Sequence, residues 1–489
     1  MEKLLFFLLT PLIGMSQTQI GNSIYGEAAS ENSGASVVIS GNGKILAIGA
    51  PGNFNSNGLS GHVRIYENKN GSWTQIGQDI DGLATGDAVG QSNTIDLSAD
   101  GSTIAICSVG NSANGIFAGH VRMFKNISGN WIQIGNDIKG VAAHEYFGST
   151  VSISADGSIV AIAGGSHLFV PGYVSVYKYL NGTWTQLGKD LQGFSIGDEF
   201  GTSISLSANG ETLAIGAPGY GSYTGQVRIY EYTAGIWTQV GNIIDGENTD
   251  DISGNSISLS SDGKIVAIGA HYNDGNGKDS GHVRVYENIS GLWVQIGNDI
   301  DGENIDDLSG FDVSLSADGN VLAIGAMGSE PNSNSGLNHG QIRIYQNISG
   351  TWVQRGIDID GDRSGDYFGW AVSLSKDGKA VAGGALRNNK DGTEHSIGQV
   401  RVFSLTGILS SDIFVLENFS IYPNPTTDIL NIELDNGLIL EKALIYNTTG
   451  QLIKETTEKT IDVSGFAKGI YNVQVLTNKG KATKKIIVK

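Results

Sequence analysis

One phrase, repeated seven times, limits what this chain can fold into more than any other property. It is clearest from Gln295 to Trp352, where QIGNDIDGENIDDLSGFDVSLSADGNVLAIGA is followed by a loop and then by GQIRIYQNISGTW. Its opening Gln-x-Gly stands at Gln19, Gln75, Gln133, Gln186, Gln239, Gln295 and Gln354, so the period runs from 53 to 59 residues. A unit of this length is one supersecondary element that cannot bury its apolar face alone and must stack on its neighbours. The repeat is also out of phase with its own ends. The first copy is preceded only by the fragment QTQIG, Gln17 to Gly21, and the last stops at GQVRVFS, where a Trp-bearing strand should follow. Complementary broken ends describe a closed ring in which the first residues complete the last unit.

Within a unit the alternation of apolar and polar residues predicts four strands. In the unit quoted these are Val313 to Ser316, Val321 to Ala326, Gly340 to Asn347 and Thr351 to Gly356, separated by Ala-Asp-Gly, a variable loop and Ile-Ser-Gly. No helical period occurs in the repeats. Glycine, with 71 residues, is at about twice its ordinary share, and with a period present it marks turns rather than disorder. Four-stranded sheets repeated around an axis predict an all-β, seven-bladed β-propeller over residues 17–404. In this architecture Gln17–Gly21 pairs beside Gly398–Ser404 and closes the ring.

The ends of the chain read differently. Residues 1–16, MEKLLFFLLTPLIGMS, carry a short charged head and an apolar run too short to span a bilayer, the pattern of a secretory signal peptide. Cys107 is the only cysteine, so no intramolecular disulfide is available, and it reads as a small core residue in TIAICSVG. The net charge of −19 belongs to the repeats, because the residues from Leu405 onward balance. So acidic a surface argues against nucleic acid as a partner.

Three columns of residues recur within the repeats. Trp73, Trp131, Trp184, Trp237, Trp293 and Trp352 occupy one outer-strand position, which suits packing between units better than stacking on sugars. His62, His120 and His282 alternate with Gln226, Gln341 and Gln399, as a hydrogen-bonding position would and a metal ligand would not. Arg64, Arg122, Arg228, Arg284, Arg343 and Arg401 form the third column, expected to pair with acids of a neighbouring unit.

Strand order places the variable loops and the crossovers between units on one face and the short turns on the other. That face carries the candidate binding residues. The variable loops include Pro51–Ser60, His271–Ser280 and Leu386–Ser396. The crossovers bring an acid three residues before a fixed glycine in every copy: Glu31, Asp87, Glu145, Asp198, Asp251, Asp307 and Asp366. Either each carboxylate caps its own turn or meets the arginine column, or together they form a ring that attracts Ca²⁺ or a cationic partner.

The runs DEFGTSISLS and LAIGAPGYG resemble the FG-GAP-like repeats of integrin α-type propellers and their bacterial relatives, over residues 19 to 404. The resemblance implies the propeller fold. It also implies Ca²⁺ in Asp-x-Asp-x-Asp-Gly loops, but here the corresponding turns read SADG, SANG, SSDG or SKDG and lack the alternating oxygen ligands. Asp274, Asn276 and Asp279, in NDGNGKD, are the nearest local match. No catalytic residue, no required cofactor and no nucleophile elbow, zinc-protease or phosphate-loop motif is found.

After Ser404 the period stops. A linker, 405–418, leads into strands broken by Pro-Asn-Pro and Asn-Thr-Thr-Gly, which predict a small β-sandwich, Ig-like, over 419–489. Tyr422-Pro423-Asn424-Pro425, Gly450-Gln451, Asp462-Val463-Ser464, Gly469-Ile470-Tyr471 and Lys484-Lys485-Ile486 resemble, in order, the type A C-terminal sorting domain of the type IX secretion system of Bacteroidota. The resemblance implies Sec-dependent export, contact with that machinery, and an extracellular or cell-surface location. The expected function is non-catalytic recognition of an extracellular glycan or protein, or adhesion. A polysaccharide lyase or glycosidase and a structural matrix protein are the alternatives. One deep pocket where acids, His and Tyr break the sevenfold pattern would favour the enzyme.

Overall fold

The computed structural model describes residues 17–55, 58–165, 171–330, 338–390, 396–406, 415, 418–447, 452–478 and 480–489. The expected signal segment 1–16, most of the linker 405–418 and Gly450 lie outside the described residues. The chain divides into two compact units at Leu405/Thr406.

The first unit is propeller-like: seven five-stranded antiparallel sheets. Each inner strand touches the next in cyclic order, from Ser36–Ile39 through Ile95–Leu97, Val151–Ile153, Ile204–Leu206, Ser256–Leu259, Ser309–Leu315 and Ala371–Leu374, which packs back on Ser36–Ile39. The second strands, such as Val321–Ala326, are buried along their whole length, as strands covered on both faces must be. The ring is closed by the chain's first described residues. Thr18 and Gln19 pair with Ser404 and Phe403, and Ile24 and Tyr25 pair with Val400 and Gln399.

The predicted strands are found with shifted edges. The inner strand expected at Val313–Ser316 runs Ser309–Leu315, the third runs Gln341–Ile348 and the fourth ends at Gln354. A fifth strand, Ile359–Asp360, was not expected. It and Thr351–Gln354 both pair with Gln341–Ile348, at opposite ends. The outer edge is thus one strand broken in the middle. The break follows from the Gln-x-Gly-x-Asp run. Gly356 has φ +76°, open to glycine at little cost, and Gln354 Nε2 donates to Asp358 Oδ1 at 2.6 Å across the break. Gln75, Gln133, Gln186 and Gln295 each bond the aspartate four residues on in the same way.

The tryptophan column joins sheet to sheet. Each indole N–H donates to the carbonyl of the middle residue of the preceding unit's Gln-x-Gly: Trp73 to Ile20, Trp131 to Ile76, Trp184 to Ile134, Trp237 to Leu187, Trp293 to Val240 and Trp352 to Ile296, at 2.9 to 3.1 Å. A buried indole with its N–H satisfied contributes both area and a hydrogen bond.

Two further rings of hydrogen bonds encircle the axis. At the turns, the backbone N–H groups of Gly41, Ala99, Ala155, Ala208, Ser261 and Ala317 each donate to the corresponding carbonyl of the next turn. Asp377 N–H then closes the circle on Gly41. One level further in, Ser152, Ser205, Ser258, Ser314 and Ser373 each accept a backbone N–H from the next sheet at 2.9 to 3.1 Å. Where Val38 offers no acceptor, Asp96 fills both places, taking Leu97 N–H at 2.8 Å and Ile153 N–H at 2.7 Å.

The second unit has two antiparallel sheets around one core. Phe419–Tyr422, Ile429–Leu434 and Thr460–Asp462 form one, and Leu440–Asn447, Leu452–Thr456, Gly469–Thr477 and Gly480–Val488 the other. Phe419, Leu430, Ile432 and Ile461 from the first meet Ile445, Val473, Val475 and Ile486 from the second. Asn424 donates to Lys485 O and accepts Ile487 N–H, both at 2.9 Å, so the Tyr-Pro-Asn-Pro run is tied to the terminal strand. Among the described residues no helix is long and apolar enough to cross a membrane.

Candidate functional site

The crossover acids lie where strand order predicts, but their carboxylates turn inward. Glu31, Asp87, Asp198, Asp251, Asp307 and Asp366 are buried and Glu145 is half-buried. Each accepts backbone N–H groups from the residues just before it. Asp87 takes Leu83 and Ala84, Asp307 takes Glu303 and Asn304, Asp366 takes Arg363, and Asp198 and Asp251 take Ser195 and Asn248. Glu31 and Glu145 do the same with Glu27 and Ala28, and with Val141 and Ala142. The carboxylates also hold the variable loops: Asn53, Asn111, Asn273 and Asn388 donate to Glu31, Asp87, Asp251 and Asp366, and Tyr173, at the start of a third strand, donates to Glu145. The carboxylates therefore fasten crossover to loop on one face through bonds made inside the protein.

Glu31 is the most heavily engaged. Burial opposes its charge, but His62, the two backbone donors and Arg64 together hold its carboxyl down at about 2. Arg64 reaches Glu31 and Glu27 at 3.0 Å each. Arg284, Arg343 and Arg401 likewise reach Glu247, Glu303 and Asp362 at 2.9 to 3.7 Å, the pairing with acids of a neighbouring unit that was expected. Arg122, Arg284, Arg343 and Arg401 also donate to the carbonyls of Asp81, Asp245, Asp301 and Asp360, all on the fifth strand of the preceding sheet, an acceptor that was not expected because that short strand was not.

Asp274 Oδ1 accepts Asp279 N–H at 2.8 Å, Asn276 donates to the carbonyls of Gly302 and Glu303, and Asp279 meets Lys278 at 3.3 Å. These contacts shape the loop. The cluster Glu247, His282 and Asp299 has metal-ligand spacing. However, Arg284 lies 3.4 Å from Glu247, and burial together with that arginine holds His282 down at about 4, a poor setting for a second cation.

With the carboxylates inside, the variable-loop face presents apolar side chains. Val141 is 84 % exposed, Phe54 76 % and Phe194 68 %, and Leu83, Ile116, Ile196 and Ile305 are also exposed. All lie on crossovers or variable loops.

An axial cavity of about 590 Å³ is lined by inner strands and turn residues of all seven sheets. It breaks the sevenfold pattern. Asp96 and Asp312 replace smaller residues on the inner strands, and Lys376 replaces Ala, Gly or Ser in the turn ring. His271, Tyr272, Phe311 and Trp370 gather at the crossover end. Phe311 lies 4.9 Å from Trp370 and 5.1 Å from His271, ring centre to ring centre. His271 Nδ1 is buried without a hydrogen-bond partner, and burial holds its imidazole down at about 4. Asp312 is pushed up to about 6 by burial, against donors from Val372, Val313 and Ser256. Of this group, Trp370 stands outside the tryptophan column, just before an inner strand, and the sequence columns did not single out the rest.

Comparison with known proteins gives firm assignments to two segments. Residues 420–489 match the secretion system C-terminal sorting domain, and residues 237–286 match the FG-GAP repeat. The tail is a type IX sorting domain, and the protein is accordingly secreted or carried to the cell surface. A curated relative, β-agarase D of Zobellia galactanivorans, is 36 % identical over 74 residues, 15 % of each chain; the chain thus spans about 15 % of that enzyme's length. Among solved structures, a putative 6-phosphogluconolactonase of Bacteroides uniformis is similar at 14 % identity and TM-score 0.48, over 86 % of this chain and 96 % of that one. The periplasmic gluconolactonase of Pseudomonas aeruginosa is similar at 15 % identity and TM-score 0.46, over 67 % and 85 %.

Proposed function

We propose that residues 17–404 form a seven-bladed β-propeller that works, after type IX export, as a non-catalytic binding module for an extracellular protein. The Ig-like sandwich 419–489 is its export signal. The observation that carries this reading is the set of exposed apolar side chains on the loop and crossover face. Exposed aliphatic and phenyl groups on rigid loops suit a protein surface. The indoles that would stack on sugars are instead built into the sheet junctions. No cofactor enters the reading.

The enzyme reading has one observation in its favour, the axial cluster of Asp96, Asp312, His271 and Tyr272. Its carboxylates argue against catalysis. Asp96 and Asp312 each accept two backbone amides, one from the next residue of the same strand and one from the adjoining sheet, and a general acid or base needs a free oxygen aimed at substrate.

The test is a binding screen of the full chain against extracellular matrix proteins and glycans, with and without Ca²⁺, followed by Val141→Asp and Phe194→Asp. Loss of a protein partner with an unchanged melting temperature supports the reading. Binding of a protein partner that ignores both substitutions, or hydrolysis of a glycan in the screen, overturns it.

A further inference from the structure

The axial cavity contains a cation with nothing to bind. Lys376 is the only lysine or arginine among the residues lining it, its side chain is exposed, and no hydrogen bond or ion pair to that side chain is found among the described residues. It stands exposed in the turn ring at one end of the bore, and the protein packed around that end pulls its ammonium below the ordinary lysine range, with Asp96 the only group pulling the other way. Asp96 makes no ion pair with it among the described residues; its oxygens hold Leu97 and Ile153 N–H.

The walls above Lys376 are rich in donors. Ser205, Ser314 and Ser373 line the cavity, and each accepts a backbone amide through its hydroxyl oxygen. An accepting hydroxyl still has its own proton to give, and among the described residues no acceptor takes those three. At the crossover end the walls become aromatic, with Phe311 and Trp370 in contact and the unpartnered Nδ1 of His271 beside them. Between Trp370 and Lys376 runs the inner strand Ala371–Leu374, about 13 Å at ~3.3 Å per residue, so the turn that carries the ammonium and the rings mark opposite ends of one bore. A volume of about 590 Å³ is within the range of small-molecule sites.

We propose that this cavity binds a short acidic oligosaccharide end-on. A sugar carboxylate sits on Lys376, sugar hydroxyls accept from Ser205, Ser314 and Ser373, and a ring nearer the mouth packs on Trp370 and Phe311. Each part of the ligand answers a separate observation: the free cation, the free hydroxyl protons and the aromatic mouth. The net charge of −19 repels a long polyanion lying over the surface, which is why the ligand is short and enters along the axis. The cation end of this subsite is separate from the protein-binding face, because Lys376 lies at the far end of the bore from those loops, while its aromatic mouth opens on that face.

Titration calorimetry of the full chain at pH 7 tests the proposal with four probes: a galacturonate disaccharide, a galacturonate trisaccharide, a neutral galactose disaccharide and sodium sulfate. An acidic oligosaccharide should bind at least tenfold more tightly than the neutral one, and should perturb Trp370 fluorescence in a way that Trp370→Phe abolishes. Lys376→Met should weaken binding at least tenfold while leaving the melting temperature unchanged, since it removes an exposed charge that no ion pair uses. Ser314→Ala should weaken it several-fold and gives a second readout if Lys376→Met fails to fold. Equal affinity for the neutral sugar, binding of sulfate alone, no binding of either acidic sugar, or affinity indifferent to both substitutions would overturn it.

Discussion

Gln17 occupies the place that tryptophan holds on the other six outer strands, and its carboxamide Nε2 lies 3.5 Å from Arg355 O, the carbonyl an indole would have taken. A stronger bond goes to Ile357 O at 2.7 Å, and the carboxamide covers Gly356 as Trp352 covers Gly297. The junction that closes the ring is thus the one built without an indole. Gln17→Trp should restore the regular contact and raise the melting temperature by about 2 °C, on the scale expected of 1–2 kcal/mol in a chain of this size. Deleting Gln17–Gly21 should lower it by several degrees. Differential scanning calorimetry reads both, and an unchanged midpoint after the deletion would refute the closure.

At a regular junction the glycine and the tryptophan depend on each other. Gly241 has φ +75°, and an added Cβ would lie 2.8 Å from Trp293 Cδ1. Trp293→Ala should cost about 3–5 kcal/mol through the cavity it leaves. Trp293→Phe should cost less, near 1–2 kcal/mol, chiefly by orphaning the Val240 carbonyl. Gly241→Ala should be destabilising despite its small size, because both backbone and space refuse it. Urea unfolding of the three variants gives the order; a harmless Gly241→Ala would show that the contact is not tight.

How much of this was legible in the sequence depends on what each residue faces. The phase of the repeat placed Gln17–Gly21 beside Gly398–Ser404 because pairing is a matter of order along the chain. The fifth strand escaped notice, since Gly356 looks like a strand end until its φ is known. The crossover acids were visible as a column, and both a capping and a ligand-binding role were open; only the inward turn of each carboxylate separates the two. Asp96, Asp312 and Lys376 were departures from their columns in plain view. They carried no signal because an inner strand is buried on both sides, and alternation alone does not say which side is the axis.

The carboxylate at Glu31 makes one junction sensitive to acid. Its folded value of about 2 lies below the ordinary glutamate value, so its contribution is complete above about pH 4.5 and disappears as pH falls from there towards 2. The upper bound is about 3 kcal/mol from the size of the shift, less whatever solvent screening removes. Glu31→Gln should therefore lower stability at pH 7 and flatten the dependence between pH 4.5 and 2. Denaturant midpoints for both proteins across that range decide it, and parallel curves would assign the acid sensitivity elsewhere.

Calcium should leave the repeats nearly indifferent. The crossover carboxylates already serve amide donors, and a cation would have to displace those bonds while competing with the arginine column. Adding millimolar Ca²⁺ to protein stripped with chelator should move the melting temperature by no more than about 1 °C, whereas a site filled a hundredfold above its dissociation constant would add about 2.7 kcal/mol. A shift of several degrees, lost in Asp274→Asn, would place a functional ion at the Asp274, Asn276 and Asp279 loop.

The sorting domain offers a prediction that separates fold from export. Asn424 clamps the last strand through two bonds, to Lys485 O and from Ile487 N, each worth about 1 kcal/mol net. Asn424→Ala should therefore speed amide exchange at Ile487 by roughly tenfold per 1.4 kcal/mol lost while leaving the core around Val473 protected. A reporter fused to residues 413–489 should be exported in a type IX-competent host, and the same fusion with Asn424→Ala should be exported less, in proportion to the loosened terminus. Retention of the unmodified fusion in the periplasm would show that this segment is insufficient as an export signal. Normal export with a freely exchanging terminal strand would show instead that the machinery reads the terminal residues without needing them held in the sheet.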